Sequence, residues 1–326
     1  MPRKVIIDAD PGIGDALAIA LAMLDPELDV VGVTAVAGCV TGPIATQNIL
    51  SVVESVDPPK WPRLGASTAD RPIFTKSSRT EDGSNLPPGF FDPLRLNGDY
   101  GLGKSEVQFT QLHNQRDSAR VMIDLARNHP HEVTLLTLGP LSNVAIACEL
   151  APDFLSNLQQ LVCLGGSIGA GGDVTAAAEF NIFCNPLAAD SILDAPITKT
   201  LVPLDVSQQA VLSFDVFNRL QQVVRPNLKW FADDLVPFAL RAHHEQLGLE
   251  GWPLRELTAL AFLSQPRHFE TSPMSVSIER QGHLTRGVTV IDQRRIPRWQ
   301  TNCEVVESVD AQGVLDYFGQ LAKNPA

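Results

Sequence analysis

The 326-residue chain is short of cysteine, of long hydrophobic runs and of positive charge. Its five cysteines are scattered without C-x-x-C spacing, which excludes a disulfide scaffold and a zinc knuckle and predicts reduced thiols in a cytoplasmic protein. No stretch reaches the roughly 20 apolar residues of a membrane helix, so we expect no membrane partner. Lys and Arg number 25 against 37 Asp and Glu, and the net charge of −12 argues against nucleic-acid binding.

The composition is that of an ordinary globular protein, with 44% hydrophobic and 19% charged residues. The N-terminus, Met-Pro-Arg-Lys, passes directly into an apolar run, so we expect no signal peptide. The length allows one large domain or two modest ones. Because the pattern of strands and helices continues from end to end, we expect a single domain over residues 1–326.

Strands and helices alternate along the chain. The β-branched run at 5–7, the Ala- and Leu-rich stretch at 15–24 and the apolar run at 30–36 predict a right-handed strand–helix–strand unit of a parallel sheet. Later elements continue this pattern: helices over 46–56, 118–128, 142–150, 186–193 and 254–263, strands over 133–138, 161–164 and 198–202, a mostly helical segment over 214–249, and a hairpin or edge strands over 275–279 and 288–291. We therefore predict an α/β fold, with a mostly parallel, Rossmann-like central sheet, helices on both faces and a helical and loop-built rim over the site.

One long segment interrupts this alternation. Residues 57–103 are rich in Pro, Gly, Ser and charge, and the α/β pattern resumes after them. Long loops in compact domains are often functional. We interpret this segment as a surface excursion near the site rather than a linker between domains.

Three carboxylates follow the first strand, at Asp8, Asp10 and Asp15. Ligands bind at the carboxyl edge of open parallel sheets, and clustered carboxylates repel one another unless a cation joins them. Hard divalent ions such as Ca²⁺ prefer several oxygen ligands, and the Pro11-Gly12 turn allows Asp10 and Asp15 to approach one ion. The alternative is that these carboxylates only cap the following helix, whose N-terminus favours negative charge.

Two other kinds of site can be compared with this loop. A dinucleotide site is excluded because the loop lacks G-x-G-x-x-G and its carboxylates would repel a pyrophosphate. A metal-dependent phosphatase of the haloacid-dehalogenase type remains as an alternative, with Asp8 as the nucleophile and Asp10 as the acid/base. The Pro11-Gly12 pair is unlike that family, and no later lysine and metal-binding aspartate stand out.

The loop Asp8-Ala9-Asp10-Pro11-Gly12-Ile13-Gly14-Asp15 resembles the Asp-rich motif of the inosine–uridine nucleoside hydrolase family. The resemblance is collinear over nearly the whole chain. Its further motifs are Asn97-Gly98-Asp99-Tyr100-Gly101-Leu102, Leu138-Gly139-Pro140-Leu141-Ser142-Asn143, Ala178-Glu179-Phe180-Asn181-Ile182, Leu204-Asp205-Val206, Pro253-Leu254-Arg255-Glu256 and Leu284-Thr285-Arg286-Gly287. It implies Ca²⁺-dependent hydrolysis of the N-glycosidic bond of a ribonucleoside, purine or pyrimidine, to free base and ribose. It also implies a homodimer or homotetramer.

The resemblance assigns a role to each matching position. Asp10, Asp15, Glu256 and the backbone carbonyl of Leu138 match metal ligands, and Asp10 also matches the base that accepts a proton from the attacking water. Glu256 stands where the family has an aspartate, so it adds a methylene group to that ligand. The residues that match the nucleoside-binding set are Asp15, Cys39, Asn97, Asp173, Glu179, Asn181 and Arg255. For Glu179 and Asn181, which match ribose-binding residues, the alternative is a helix cap or a paired polar group in a loop.

Four positions depart from the family pattern. Gly14 and Cys39 replace an aspartate and an asparagine, so two polar contacts are missing. Asp173 replaces an asparagine and gives up a hydrogen-bond donor. Arg255 replaces a histidine, and because it stays protonated it is a poor general acid. These changes predict altered specificity, and they leave open the alternative of a calcium-containing, non-catalytic or sugar-binding homologue.

The general acid that assists the leaving base is therefore missing from its usual position. His243 and His244 lie shortly before Glu256 in a predicted helical segment, and we list both as candidate catalytic residues. The alternative is that they belong to an exposed helix face. The predicted ligand is a nucleoside or a related N-glycoside.

Overall fold

The computed structural model describes residues 1–70, 89–104 and 115–324. Within this part, an eight-stranded sheet forms the centre of the molecule, in the order β3-β2-β1-β4-β5-β6-β12-β9. Its strands are β1 (Arg3–Ala9), β2 (Leu28–Ala35), β3 (Arg63–Gly65), β4 (Val133–Thr137), β5 (Gln160–Leu164), β6 (Lys199–Val202), β9 (Phe269–Met274) and β12 (Cys303–Val309). All neighbours are parallel except β9, which runs antiparallel to β12 at one edge. The prediction of a mostly parallel α/β sheet is confirmed.

Helices cover both faces of the sheet and its carboxyl edge. They are α1 (Ile13–Leu24), α2 (Gly42–Val56), α3 (Leu94–Asn97), α4 (Ser118–Asn128), α5 (Ser142–Leu150), α6 (Phe180–Cys184), α7 (Pro186–Asp194), α8 (Leu204–Ser207), α9 (Phe214–Gln221), α10 (Val236–Leu247), α11 (Arg255–Ser264) and α12 (Ala311–Ala322). Short 3₁₀ turns lie at Leu155–Asn157, Pro226–Leu228 and Pro266–His268, and a π-helical turn at Phe231–Leu235 precedes α10. No helix in the described part of the chain is long and apolar enough to cross a membrane.

Alternate side chains of the central strand enter two separate cores. Val5 and Ile7 pack with α1, α2, α11 and α12 on one face, whereas Ile6 packs with α4, α5 and α7 on the other. All three side chains are fully buried. This double burial explains why β1 is a continuous apolar run rather than an alternating one, as is typical of strands inside parallel sheets.

The later part of the chain adds elements that the sequence pattern did not predict. Strand β12 inserts between β6 and β9, and α12 follows it. The predicted hairpin is confirmed, because β10 (Val276–Ile278) and β11 (Thr289–Ile291) pair in antiparallel fashion. A second small pair joins β7 (Val211–Ser213) to β8 (Gly251–Pro253) beside the carboxyl edge of the sheet.

The predicted excursion over 57–103 lies partly outside the described residues, which omit 71–88. Its described end carries α3 and packs on the acidic loop. Asn48 holds the two together, because its Nδ2 donates to the carbonyls of Pro11 at 3.0 Å and Tyr100 at 2.8 Å. Gly101 has φ +85°, and a Cβ there would lie 2.6 Å from the Pro11 carbonyl oxygen. The close contact between the backbones of Gly101 and Pro11, together with the positive φ, requires glycine at position 101.

Candidate active site

A cavity of about 370 Å³ opens at the carboxyl ends of β1, β4 and β5. It brings together residues from seven separate stretches of the chain. The sequence-predicted residues that line it are Asp10, Asp15, Cys39, Asn97, Leu138, Asp173, Glu179, Asn181, His243, Arg255 and Glu256. His244 is the one predicted site residue that does not line it. Three carboxylates cluster at one end, and the lining also includes apolar and aromatic side chains.

Asp10 is clamped at the floor of the acidic end. One of its carboxylate oxygens accepts a hydrogen bond from the backbone N–H of Cys39. A Cβ on Gly38 would lie 2.1 Å from Oδ2, and one on Gly139 would lie 2.4 Å from Oδ1, so a side chain at either position would displace this carboxylate. Burial, with smaller contributions from Glu256 and Asp8, raises the pKa of Asp10 to about 7. Cys39 thus acts on Asp10 through its backbone.

Asp15 lies in the first turn of α1, close to Asp10. Its Oδ2 accepts from the backbone N–H of Gly12 at 3.0 Å, which confirms a capping role for this carboxylate. Its Oδ1 is buried and, within the described residues, has no hydrogen-bond partner. Burial raises the pKa of Asp15 well above its usual value, and the charges of Asp10 and Glu256 raise it further. Capping therefore uses only one of the two oxygens.

Glu256 completes the acidic end from the first turn of α11. Its carboxylate lies directly over Gly14, where a Cβ would be 2.1 Å from Oε2 and 2.5 Å from Cδ. Burial is the main cause that raises the pKa of Glu256. Because residue 14 is a glycine, the space beside its Cα is free, and the longer glutamate extends into that space.

These three carboxylates suit a hard cation by their chemistry. The charge of Glu256 raises the pKa of both Asp10 and Asp15, that of Asp10 raises the pKa of Asp15 further, and no donor among the described residues satisfies Asp15 Oδ1. As the side chains stand, no group of three His, Cys, Asp or Glu residues in the described segments is arranged as a metal site. The donor set therefore fits a cation by its chemistry, although the described side chains are not arranged around a common point.

The Leu138 carbonyl reaches the same end of the cavity from the carboxyl end of β4. Asn181 holds it, because Nδ2 of Asn181 donates to the carbonyls of Leu138 at 2.6 Å and Leu164 at 3.0 Å. Both amide hydrogens of Asn181 are thereby used by the backbone. Its Oδ1 is the atom that remains for a ligand.

Glu179 caps α6 and lines the cavity at the same time. Its carboxylate accepts from the backbone N–H groups of Asn181 at 3.0 Å, Ile182 at 3.1 Å and Gly166 at 2.9 Å. Burial raises its pKa to about 8, although the three N–H groups favour the charged form. The cap proposed as an alternative is present, and it fixes the carboxylate against the glycine-rich loop that follows β5.

Asp173 and Arg255 form an ion pair across the cavity wall, through Oδ2 and Nη1. The other oxygen of Asp173 accepts from the backbone N–H of Phe180 at 2.9 Å. Arg255 is the first residue of α11, so the pair joins this helix to the start of α6.

Asn97 lines the cavity, but its amide is occupied by backbone groups. Oδ1 accepts from Ile13 N–H at 2.9 Å, and Nδ2 donates to the Pro93 carbonyl at 3.0 Å. Asn97 thus satisfies the first exposed N–H of α1 and ties α3 to it. This role was not predicted.

Apolar side chains also line the cavity. Among its lining residues are Phe91, Leu96, Phe180, Leu247, Leu249 and Trp252. The sequence analysis missed these residues because they come from four distant elements and share no local motif. It also missed Ser207, which lines the cavity and whose buried Oγ has no hydrogen-bond partner within the described residues.

The two candidate histidines have different surroundings. His243 is buried beside Trp252, with the ring centroids 6.3 Å apart, and its Nδ1 lies 2.8 Å from the Ala239 carbonyl. Burial lowers its pKa to about 4. His244 is exposed, and its Nδ1 faces the Leu249 carbonyl at 3.3 Å. The structure brings His243, but not His244, to the cavity.

Asp8 is fully buried beneath the site and does not line the cavity. Its Oδ1 accepts from Thr34 at 2.7 Å and Asn143 at 2.8 Å, while burial raises its pKa to about 7. A nucleophile must reach its substrate. The phosphatase alternative, which requires Asp8 to attack a phosphate, is therefore wrong.

Known proteins match this chain over almost its full length. Residues 5–316 match the family model of inosine-uridine preferring nucleoside hydrolases. A pyrimidine-specific ribonucleoside hydrolase, RihA, from Shewanella woodyi is 31% identical, covering 98% of each chain. RihA from another Shewanella species, strain MR-4, is 30% identical, covering 97% of this chain and 95% of that protein.

Solved structures agree with this match. A plant nucleoside hydrolase, the PpNRh1 enzyme, superposes with a TM-score of 0.85 at 25% identity, covering 100% of each chain. A purine-preferring ribonucleoside hydrolase from Gardnerella vaginalis gives 0.83 at 25% identity, covering 98% of each chain. The match includes the acidic loop, the cavity and the sheet that supports them, and it makes the protein an N-glycosyl hydrolase. The chain belongs to the inosine-uridine preferring nucleoside hydrolase family.

Proposed function

We propose that this protein is a Ca²⁺-dependent hydrolase of ribonucleosides, releasing free base and ribose. The observation that carries the proposal is the cluster of the buried Asp10 and Asp15 carboxylates with the half-buried Glu256, in a cavity whose lining also includes apolar and aromatic side chains. Ca²⁺ favours several oxygen ligands in irregular arrangements, which suits carboxylates and a carbonyl from separate elements. The aromatic side chains of the lining suit the flat face of a base.

Four groups would hold the ion: the carboxylates of Asp10, Asp15 and Glu256 and the carbonyl of Leu138. When bound, calcium would lower the pKa of a coordinated water and neutralise the carboxylates. Asp10 would accept the proton of the attacking water, since it lines the cavity and is held in one orientation by Cys39 N–H. The attack would pass through a transition state with oxocarbenium character.

The sugar would lie between the acidic end and the glycine-rich loop. Glu179 and the Oδ1 of Asn181 are fixed by backbone hydrogen bonds, which supports their role as acceptors for ribose hydroxyls. Asp15, Asp173 and Glu179 would favour the positive charge that develops on the ring. Asn97 and Cys39 would contribute by supporting the helix and Asp10.

The test is release of reducing sugar from inosine, uridine, adenosine, guanosine and cytidine, with Ca²⁺ and with a chelator. The expected result is release from at least one nucleoside that stops when calcium is removed. Ligand binding without release would favour the non-catalytic, sugar-binding alternative, which would be seen as thermal stabilisation without product. Release that persists in the chelator would contradict the metal requirement. The cytoplasmic location and the homodimer or homotetramer stay predictions.

A further inference from the structure

The glycine-rich loop after β5 supplies a hydrogen bond that holds Glu179 from outside its own helix. Two of the three N–H groups on this carboxylate, those of Asn181 and Ile182, belong to the first turn of α6, which Glu179 itself caps. The third is the N–H of Gly166, which donates to Oε2 at 2.9 Å. Among the described residues Oε2 thus has two donors and Oε1 has one, so Oε1 can still accept from a ligand hydroxyl. The position of Gly166 therefore helps to set how this carboxylate is oriented.

The loop that carries Gly166 has little stiffness of its own. Five of the eight residues at 165–172 are glycine, the residue that restricts the backbone least. Gly166 itself has φ +72°, in the left-handed region. The geometry of this loop must therefore come from its contacts with neighbouring elements.

Asp205 makes the strongest of these contacts. It is the second residue of α8, is half-buried and does not line the cavity. Its Oδ2 accepts from the backbone N–H of Ile168 at 2.6 Å and from the hydroxyl of Ser167 at 3.2 Å, and its Oδ1 accepts from the backbone N–H of Gly169 at 2.8 Å. Hydrogen bonds from N–H groups to a carboxylate are about twice as strong as those between neutral groups. The three residues that directly follow Gly166 are thereby fixed to α8.

Two further contacts hold the start of the loop. The backbone N–H of Leu204, also in α8, donates to the Gly166 carbonyl at 2.9 Å. From the hairpin, Oγ1 of Thr289 accepts from the backbone N–H of Ser167 at 3.4 Å, and a Cβ on Gly166 would lie 2.5 Å from the same oxygen. The loop is thus held by both α8 and β11.

We infer that Asp205 is a positioning residue for Glu179: it holds the glycine-rich loop in the place from which the Gly166 N–H orients that carboxylate toward one hydroxyl of the sugar. The inference rests on the proposed function, in which Glu179 accepts from a ribose hydroxyl. Asp205 acts only through the loop, since it does not line the cavity. Its loss should weaken the recognition of a single hydroxyl rather than of the whole substrate, because the cation-binding carboxylates are carried by other elements.

The experiment measures kcat/KM for one ribonucleoside that wild type cleaves and for its 2′-, 3′- and 5′-deoxy forms, all with calcium. The ratio of the ribonucleoside to each deoxy form measures the recognition of one hydroxyl. Because each ratio is compared between variants, differences in the intrinsic reactivity of the substrates cancel. Glu179→Gln identifies the hydroxyl that Glu179 recognises, as the one whose ratio falls.

We expect Asp205→Asn to lower the same ratio about tenfold and to leave the other two within about twofold. The amide keeps one acceptor oxygen but turns an NH₂ group toward a backbone N–H of the loop, so one of the two N–H contacts is lost. The double variant with Glu179→Gln should lower this ratio no further than Glu179→Gln alone, because both changes remove the same interaction. Thr289→Val removes the weaker contact and should lower the same ratio by a smaller factor.

Asp292→Asn is the matched control. Asp292 also accepts from backbone N–H groups of its own loop, those of Arg298 at 2.8 Å and Trp299 at 3.3 Å, and it does not line this cavity. The control should leave all three ratios unchanged. Thermal unfolding of each variant shows whether it is folded, and if Asp205→Asn is not, the same comparison with Thr289→Val decides the question.

Two results would overturn the inference while the hydrolase function stands. Equal losses on all four substrates in Asp205→Asn would show that Asp205 only supports the cavity wall. A selective loss at a hydroxyl other than the one that Glu179→Gln identifies would show that the loop does not act through Glu179. If wild type releases sugar from no nucleoside, the proposed function fails and this inference fails with it.

Discussion

Replacing Gly14 with alanine should weaken metal binding without weakening the fold. The new Cβ would lie 2.1 Å from Oε2 of Glu256, whereas ordinary contacts begin near 3.4 Å, so the carboxylate must retreat by more than an ångström. The group that moves is the end of a flexible side chain, and alanine is favoured over glycine inside a helix by about 0.5–1 kcal/mol. The free energy of unfolding of the metal-free protein should therefore stay level or rise.

The loss should appear in the affinity for calcium. Altering a residue that orients a metal ligand costs about tenfold to hundredfold in affinity. This corresponds to about 1.4–2.8 kcal/mol. Isothermal titration of metal-free protein with CaCl₂ measures this loss directly, and thermal unfolding of the same samples measures stability.

Two further variants make the test specific. Glu256→Asp in the Gly14→Ala background shortens the ligand by one methylene group and should recover part of the affinity. Gly319→Ala in α12 is the matched control, because nothing lies within 4 Å of the added Cβ, and it should not change calcium binding. If Gly14→Ala binds calcium as tightly as wild type, Glu256 is not a ligand in the position that the structure gives it.

Three other predictions follow from the site. Burial raises the pKa of Asp10 to about 7, whereas an aspartate in an unfolded chain titrates near 3.9. Between about pH 4 and 7, the metal-free native state therefore binds more protons than the unfolded state. The free energy of unfolding, measured with urea in the presence of a chelator, should fall as the pH rises through this window. Calcium affinity should rise over the same window. A free energy of unfolding that increases with pH would contradict the burial argument. Cys39→Ala should keep kcat within about threefold because the backbone N–H contacts Asp10, whereas Cys39→Pro, which removes that donor, should lose most activity. His244→Ala should leave kcat and KM unchanged for every nucleoside, because the ring faces the Leu249 carbonyl outside the cavity; a selective loss on one substrate would restore it as a candidate.

Local sequence was sufficient for the acidic loop and the central strands. A run of β-branched residues such as Val5–Ile7 is apolar on both faces, and only a strand between two helical layers uses such a run. The carboxylates that follow it reach the cavity because chain order alone puts them at the carboxyl edge of the sheet. Strand β12 could not be predicted in this way, because nothing in its local pattern indicates that it inserts between β6 and β9.

The roles of single side chains were decided by the tertiary structure. Asn97 and Asn181 were both predicted to bind substrate, yet backbone groups occupy the Asn97 amide and both Asn181 amide hydrogens, and all of these partners except Pro93 come from other parts of the sequence. His243 and His244 are adjacent in sequence but point to different environments, because neighbours in a helix differ by about 100° in direction.

Residue type and order along single stretches of the sequence were thus enough to predict the first parallel strands, the acidic loop and the family. Only the tertiary structure showed which hydrogen-bonding atoms of each side chain remain available to a ligand. Glu256 shows the difference: its charge is evident from the sequence, but its place over Gly14 depends on how α11 packs against α1. Contacts between distant elements fix hydrogen-bond partners, burial and pKa, and these properties determine which of the predicted residues remain available for catalysis.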